Sequence, residues 1–372
     1  MPKLTFFPLD NADCCLIDLA GGEKIIFDYA HQKSTDANDL RIDLEKAIRD
    51  DLRQAKRNDV DVFAITHLDN DHICRSTELF WLESSKAYQS DDRIKIGELW
   101  VPAAVILEDG LVDEGRAWRQ EARHRLRKGE GIRVFSRPEV LKDWIKSEGL
   151  NYGQLKHLFV DAGQLVPRFN LAAHGVEFFV HSPFASRVNG GELLDRNTDG
   201  LFMQATFEVG GVQTKLMLGA DADYEVLSAI VGITKARKRT QRLEWDVFKL
   251  PHHCSYLSLG PEKGTSETTP VPEVQELYET YGQKGGVIVS TSKPIPLTGS
   301  ETQPPHRQAA AYYRRITGAG GLKGDFIPTM EHPKKSAPKP LIIEIERTKA
   351  RIISAVAAGA AGLTGGSANR AG

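Results

Sequence analysis

Two histidines and two aspartates crowd six consecutive positions, His67-Leu68-Asp69-Asn70-Asp71-His72, directly after the apolar run Val62-Phe63-Ala64-Ile65. Imidazole nitrogens and carboxylate oxygens are donors for zinc, manganese or iron. A tight turn at the end of a buried strand can aim His67 with Asp69, and Asp71 with His72, at two adjacent cations. The bland reading is a polar loop behind a core strand, but loops seldom need both histidines, and neither lies on an apolar face. Two later strand ends carry the same donor types. Lys215-Leu216-Met217-Leu218 stops at Gly219 and presents Asp221, with Asp223 as the fallback, and Val247-Phe248-Lys249-Leu250 runs through Pro251 into His252-His253. A carboxylate such as Asp221 can bridge two cations held roughly 3.5 to 4 Å apart, as two-metal hydrolysis requires.

The first cluster resembles the His-x-His-x-Asp-His signature of the metallo-β-lactamase fold, with Asp69 in the second histidine's place. His-x-Asp-x-Asp-His is similar to the form in the soluble hydrolase domain of ComEC-type DNA-internalisation competence proteins and in the related pneumococcal phosphorylcholine esterase. Other segments follow in the family's order. Ala12-Asp13-Cys14-Cys15-Leu16-Ile17 resembles Gly-Asp-x-x-Leu-Ile, and Ile26-Phe27-Asp28 resembles the strand whose aspartate braces the site. Lys249-Leu250-Pro251-His252-His253-Cys254-Ser255 resembles Lys-x-Pro-His-His-Gly-Ser, with Cys254 in the glycine's place.

The resemblance implies a four-layer αβ/βα sandwich and two divalent cations, Zn²⁺ or Mn²⁺. It puts His67, Asp69 and Asp221 on one cation and Asp71, His72, Asp221 and His253 on the other. His252 then faces a substrate phosphate or acts as an acid, and Ser255 hydrogen-bonds substrate or a neighbouring carboxylate. Many relatives have a further histidine ligand after the strand matched by Val176–Val180, but Arg196-Asn197-Thr198-Asp199-Gly200 holds none. His181 therefore stands either as the replacement ligand or as a turn residue, and Asn197 as a contact to substrate or metal-bound water. His306, in Pro304-Pro305-His306, matches a Gly-His-Pro segment and either protonates the leaving oxygen, binds phosphate, or simply begins a helix.

Elements must carry these groups to one place. Leu4–Phe7, Cys14–Leu19 and Lys24–Asp28 read as an opening meander, with turns at Asp10-Asn11 and Gly21-Gly22. Asp39 to Arg57 has apolar residues near helical period, a second helix is expected from Ser76 to Ser84, and Ile94 to Val101 returns as a strand. Residues from about 111 to 165 read as a charged helical insertion. Its first helix places Arg116, Arg119, Arg123 and Arg127 on one face, which either tracks a phosphate backbone or is solvated. Lys235 to Arg242 is a second basic run. Leu341 to Ile345 reads as the last strand of a hydrolase domain spanning 1–348, and the Ala- and Gly-rich residues 349–372 as a flexible tail.

Composition sets the limits. The 372 residues carry 48 basic and 50 acidic side chains, a net charge of -2, so any nucleic-acid surface must be local. Met1–Phe7 lacks a signal-peptide core, and the weakly polar run Ile352–Leu363 is too short to span a bilayer. Four cysteines, two adjacent, do not form a disulfide framework. The expectation is a cytoplasmic, two-metal phosphodiesterase away from membranes, using a metal-bridging hydroxide and a nucleic-acid substrate, foremost single-stranded DNA. Asp71 is its indispensable acid, and a regulatory protein partner, the tail or proteolysis would restrain it. Two alternatives stay open: a phosphodiesterase for cyclic nucleotides or phosphorylcholine-like esters, and a non-catalytic, metal-stabilised regulatory module.

Overall fold

The computed structural model describes residues 1–136, 138–184, 196–298, 301–348 and 350–353. In chain order its strands are β1 (Lys3–Phe6), β2 (Cys15–Asp18), β3 (Lys24–Phe27), β4 (Asp59–Ala64), β5 (Lys95–Pro102), β6 (Ile132–Phe135), β7 (Phe159–Val160), β8 (Val176–Ser182), β9 (Phe202–Val209), β10 (Val212–Leu218), β11 (Trp245–Lys249), β12 (Gly282–Ser290), β13 (Asp325–Pro328), β14 (Leu341–Ile345) and β15 (Ala350–Ile353). They form two sheets, in the orders β15-β14-β1-β2-β3-β4-β5-β6-β7 and β13-β12-β11-β10-β9-β8. Each sheet combines an antiparallel part with a parallel one, β3 through β7 in the first and β10 through β13 in the second.

Alternation along the strands makes the layers. On β4 and just past it, Phe63 and Ile65 pack with Leu44, Ile48 and Leu52 of the helix Leu44–Gln54, while Val62 and Ala64 face the other way. On β11, Trp245 and Phe248 meet the helices Tyr224–Ala236 and Pro272–Glu279, and Val247 points into the same inner core as Val62 and Ala64. Side chains of period two must supply opposite faces, so both sheets share one apolar core and each covers its outer face with helices. This is the expected αβ/βα sandwich.

Two element boundaries differ from the sequence reading. The first helix starts at Leu44, not Asp39, because Asp43 caps it by accepting from the Lys46 N–H at 3.0 Å. The second is a single turn, Ser76–Leu79, since Phe80 leaves it extended and pairs with Ile94 while Arg93 takes the Phe80 carbonyl at 3.1 Å. Residues 111–165 carry the helix Asp113–Lys128 and strands β6 and β7, which continue the first sheet. Within the expected tail, β15 pairs with β14, and residues 354–372 lie outside the described residues. No helix among the described residues is long and apolar enough to cross a membrane.

Register brings the ligand-bearing turns together. Phe27 at the end of β3 pairs with Ala64 at the end of β4, so Asp28 and Thr66 leave the first sheet side by side. Leu218 pairs with Lys249 and Lys249 with Val289, which aligns the turns after β10, β11 and β12 on the second sheet. Residues just beyond the carboxyl ends of parallel strands thus meet at a common rim, where open α/β sheets place their sites.

Candidate metal centre

Asp71, His72, Asp221 and His253 each offer a ligand atom, all within 4.8 Å of one another. His72 Nε2 lies 3.3 Å from Asp221 Oδ1, and His253 Nε2 lies 3.0 Å from Asp71 Oδ2 and 3.9 Å from Asp221 Oδ2. His72, Asp221 and His253 are buried. The far side of each imidazole is anchored. His72 Nδ1 donates to Asp28 Oδ2 at 2.8 Å, and Asp28 in turn accepts from the Thr66 N–H and hydroxyl, both at 2.7 Å. His253 Nδ1 donates to the Thr291 carbonyl at 2.7 Å. With the proton fixed on Nδ1, both Nε2 lone pairs face the carboxylates, the arrangement that orients histidine towards a metal.

The donor set fits a divalent cation. Two imidazole nitrogens and two carboxylates complete a four-coordinate shell for zinc, and His72 Nε2 is buried with no hydrogen-bond partner among the described residues. The electrostatics agree. Burial opposes ionisation of Asp221, yet His72 and His253 outweigh it and hold the carboxyl well below its usual range. Burial likewise opposes protonation of His72, and Asp221 and Asp28 override it, raising the pKa well above the ordinary value. The pocket therefore demands positive charge, which protons or a cation can supply.

The turn after β11 is backbone-strained. His252, His253 and Cys254 have φ of 49°, 52° and 66°, a left-handed run that non-glycine residues rarely adopt. Partners hold it there: the His252 N–H donates to Asp221 Oδ1 at 3.1 Å, and the His306 N–H to the Cys254 carbonyl at 3.1 Å. The glycine position of the resembled motif is thus one where a left-handed residue is required. Cys254 is fully buried and burial pushes its thiol pKa up, so it packs as a small apolar residue.

His67 and Asp69 sit beside this cluster. The His67 and His72 rings are 3.9 Å apart, and His67 Nε2 is 3.3 Å from Asp69 Oδ2, buried with no hydrogen-bond partner among the described residues. Asp69 Oδ1 accepts from Arg196 Nη1 at 2.5 Å, and Arg196 Nε donates to Glu108 Oε1 at 2.9 Å. Sequence reasoning did not consider Glu108, and it quoted Arg196 and a buried pair behind the cluster only as parts of motifs, with no role of their own. Lys249 Nζ bonds Asp13 and the Gly219 carbonyl, the latter at 3.0 Å, and the Asp13 N–H donates to the Asp71 carbonyl at 2.8 Å. Lys249 offsets a neighbourhood rich in carboxylates. A lysine inside an otherwise apolar buried strand was the available signal.

Other residues singled out in the sequence fall as follows. Asp223 caps the helix Tyr224–Ala236 by accepting from the Val226 N–H at 2.9 Å, leaving Asp221 to face the cluster. His181 points elsewhere, with Nε2 donating to the Arg242 carbonyl at 2.9 Å, and burial lowers its pKa to about 4. Asn197 lies in a segment that joins the cluster's edge, since the Leu201 N–H donates to the Thr66 carbonyl at 3.0 Å. Ser255 Oγ accepts from the Leu257 N–H at 3.2 Å, capping a short turn. His306 is buried, and its Nδ1 accepts from the Tyr256 N–H at 3.3 Å, which leaves the proton on Nε2. The arginine row divides. Arg119 donates to the Glu108 carbonyl at 2.6 Å and Arg123 to that of Ile106 at 2.6 and 2.9 Å, capping the helix Ala103–Leu107, while Arg116 is exposed.

No protein-family model matches the chain, and no curated protein does. Among solved structures it is similar to unliganded yeast PDE1, at 11% sequence identity and a TM-score of 0.42, over 88% of this chain and 96% of that one.

Proposed function

We propose that the chain is a metal-dependent phosphodiesterase using two cations, Zn²⁺ or Mn²⁺, with DNA as the foremost substrate. The observation that carries this reading is the set Asp71, His72, Asp221 and His253, the last three buried and the histidines oriented by Asp28 and Thr291, at the common rim of both sheets. His67 and Asp69 supply donors for the second cation. Bound cations would activate water and neutralise charge at phosphorus. The protein's own part is to hold the donors, exclude solvent from behind them, and offer hydrogen bonds. His252 stands half-buried beside Asp221 at the mouth and binds a non-bridging oxygen, and the buried His306 braces the turn behind it by donating its N–H to the Cys254 carbonyl. The ComEC-type resemblance motivates DNA as the foremost substrate, and the resemblance to the phosphorylcholine esterase keeps small diesters beside it.

One observation favours the small-diester reading. Arg119 and Arg123 are engaged by backbone carbonyls, which shortens the basic track available to a polymer. Elemental analysis combined with hydrolysis of a chromogenic diester, single- and double-stranded DNA, RNA and cyclic nucleotides tests both. Asp221→Asn should remove bound cation and lower diester hydrolysis on the order of 10³-fold. Retained hydrolysis in that variant would overturn the metal-dependent reading. If DNA is the substrate, Arg116→Ala should reduce the slope of log affinity against log salt by about one; an unchanged slope, with cyclic-nucleotide turnover, selects the small diester.

A further inference from the structure

Arg196 is fixed from two sides at the mouth of the centre. Its Nε lies 2.9 and 3.1 Å from the two oxygens of Glu108, which anchors the guanidinium side-on, and its Nη1 reaches Asp69 Oδ1 at 2.5 Å. Glu108 follows directly on the helix Ala103–Leu107, and its own backbone carbonyl accepts from Arg119. The anchor is therefore held by the fold. Asp69, by contrast, is shared: Oδ2 faces His67 Nε2 and Oδ1 faces Arg196. A cation between His67 Nε2 and Asp69 Oδ2 would share the single charge of this carboxylate with the guanidinium on Oδ1. No arginine or lysine contact of this kind is made by Asp71 or Asp221 among the described residues; their close ion-pair partners are the histidines of the cluster.

We propose that Arg196 makes the second cation conditional on a phosphate: it holds Asp69 until an anionic phosphoryl group takes the guanidinium and releases the carboxylate. The inference rests on the phosphodiesterase reading and adds to it an order of assembly. A guanidinium carries several N–H donors in one plane, so Arg196 can keep Glu108 on one edge while its outer edge exchanges Asp69 for a phosphate oxygen. The exchange conserves charge at the mouth. Without an anion, placing a divalent cation beside Arg196 sets two like charges against each other; with a phosphate between them, each faces a negative group. Cation and phosphate binding are then positively coupled, and reciprocity requires the cation to strengthen phosphate binding by the same factor.

The experiment titrates Mn²⁺ into the chelator-stripped full chain, following heat and free Mn²⁺ by magnetic resonance, with and without inorganic phosphate. Wild type should bind one Mn²⁺ tightly and a second about tenfold or more weakly, and phosphate should strengthen the second about tenfold. Arg196→Gln should tighten the second Mn²⁺ without phosphate and abolish the phosphate effect. Arg196→Lys should fall between, because one ammonium cannot hold Glu108 and Asp69 together. Two equal, phosphate-independent sites in wild type would overturn the proposal and leave the phosphodiesterase reading standing. So would a phosphate effect that survives in Arg196→Gln, since the anion would then act through the cations alone. Failure to bind either Mn²⁺ or Zn²⁺ would overturn the phosphodiesterase reading itself. If Arg196→Gln does not fold, Arg196→Lys supplies the comparison, and a phosphate effect undiminished in it overturns the proposal.

Discussion

His72, Asp221 and His253 form a buried pocket, whereas Asp71 and Asp69 open onto the mouth. The side chains of His72, Asp221 and His253 are 0%, 5% and 2% exposed; those of Asp71, Asp69 and Arg196 are 30%, 35% and 34% exposed. In the pocket each imidazole is locked by a second hydrogen bond from its far nitrogen, so little ordering remains to be done when a cation arrives. At the mouth the competing partner is a long, half-exposed arginine, whose pairing in water is worth little and is easily exchanged. The difference teaches that histidines locked from behind leave one side of the donor set pre-formed, while the carboxylate on the open side stays exchangeable.

Breaking the pocket should cost most. Asp28→Asn removes the acceptor that fixes the His72 proton on Nδ1, and cation affinity should fall about 10 to 100-fold by calorimetry. Asp69→Asn is the matching change at the mouth. It should leave the first cation's affinity within about threefold and weaken only the second, because the pocket donors do not depend on it. Equal losses from the two variants would erase the distinction between the halves.

A pH series in chelator sharpens the same contrast. The pKa of His72 is raised well above its ordinary 6.5, against burial, by Asp221 and Asp28. Its contribution to stability is full below about 6.5 and is lost as pH climbs through the folded-state value, so urea midpoints should decline on the alkaline side. With Mn²⁺ or Zn²⁺ present the trend should reverse, since binding displaces those protons and strengthens as pH rises. Asp69, depressed by His67 and Arg196 against burial, acts on the acid side instead: its share of stability is present above the ordinary 3.8 and is lost as pH falls through the folded-state value.

The smallest effect is expected at Cys254. Cys254→Gly relieves a left-handed residue with φ of 66° but gives up a buried side chain, and the two should cancel to within about 1 kcal/mol in urea denaturation. Cation stoichiometry should not change. A lost ion in this variant would make the thiol a ligand and extend the pocket beyond its histidines and aspartates.

Much of this was legible in the chain itself. The run Val62–Ile65 ending in His67, the stop at Gly219 before Asp221, and the run Val247–Leu250 before His252 and His253 announce strand ends bearing imidazole and carboxylate groups. The alternation of apolar side chains likewise indicates sheets with two covered faces. Helix boundaries were less legible, because a cap such as Asp43 or a bridge such as Phe80 to Ile94 outweighs the periodic pattern around it. The row of arginines was read correctly as one helix face. Its sequence could not say that Arg119 and Arg123 would meet the carbonyls ending another helix.

By itself, then, the sequence determined which residue types gather at which turns, since turn chemistry and side-chain period act over a few neighbours. Tertiary structure alone decided which of them meet. Arg196 reaches Asp69 across 127 positions and Lys249 reaches Asp13 across 236, contacts set by how two sheets pack. The same packing turned Asp221 inward and Asp223 onto a helix, and aimed His181 at Arg242. Charge at such range is placed by burial and register, and neither is written in the local pattern.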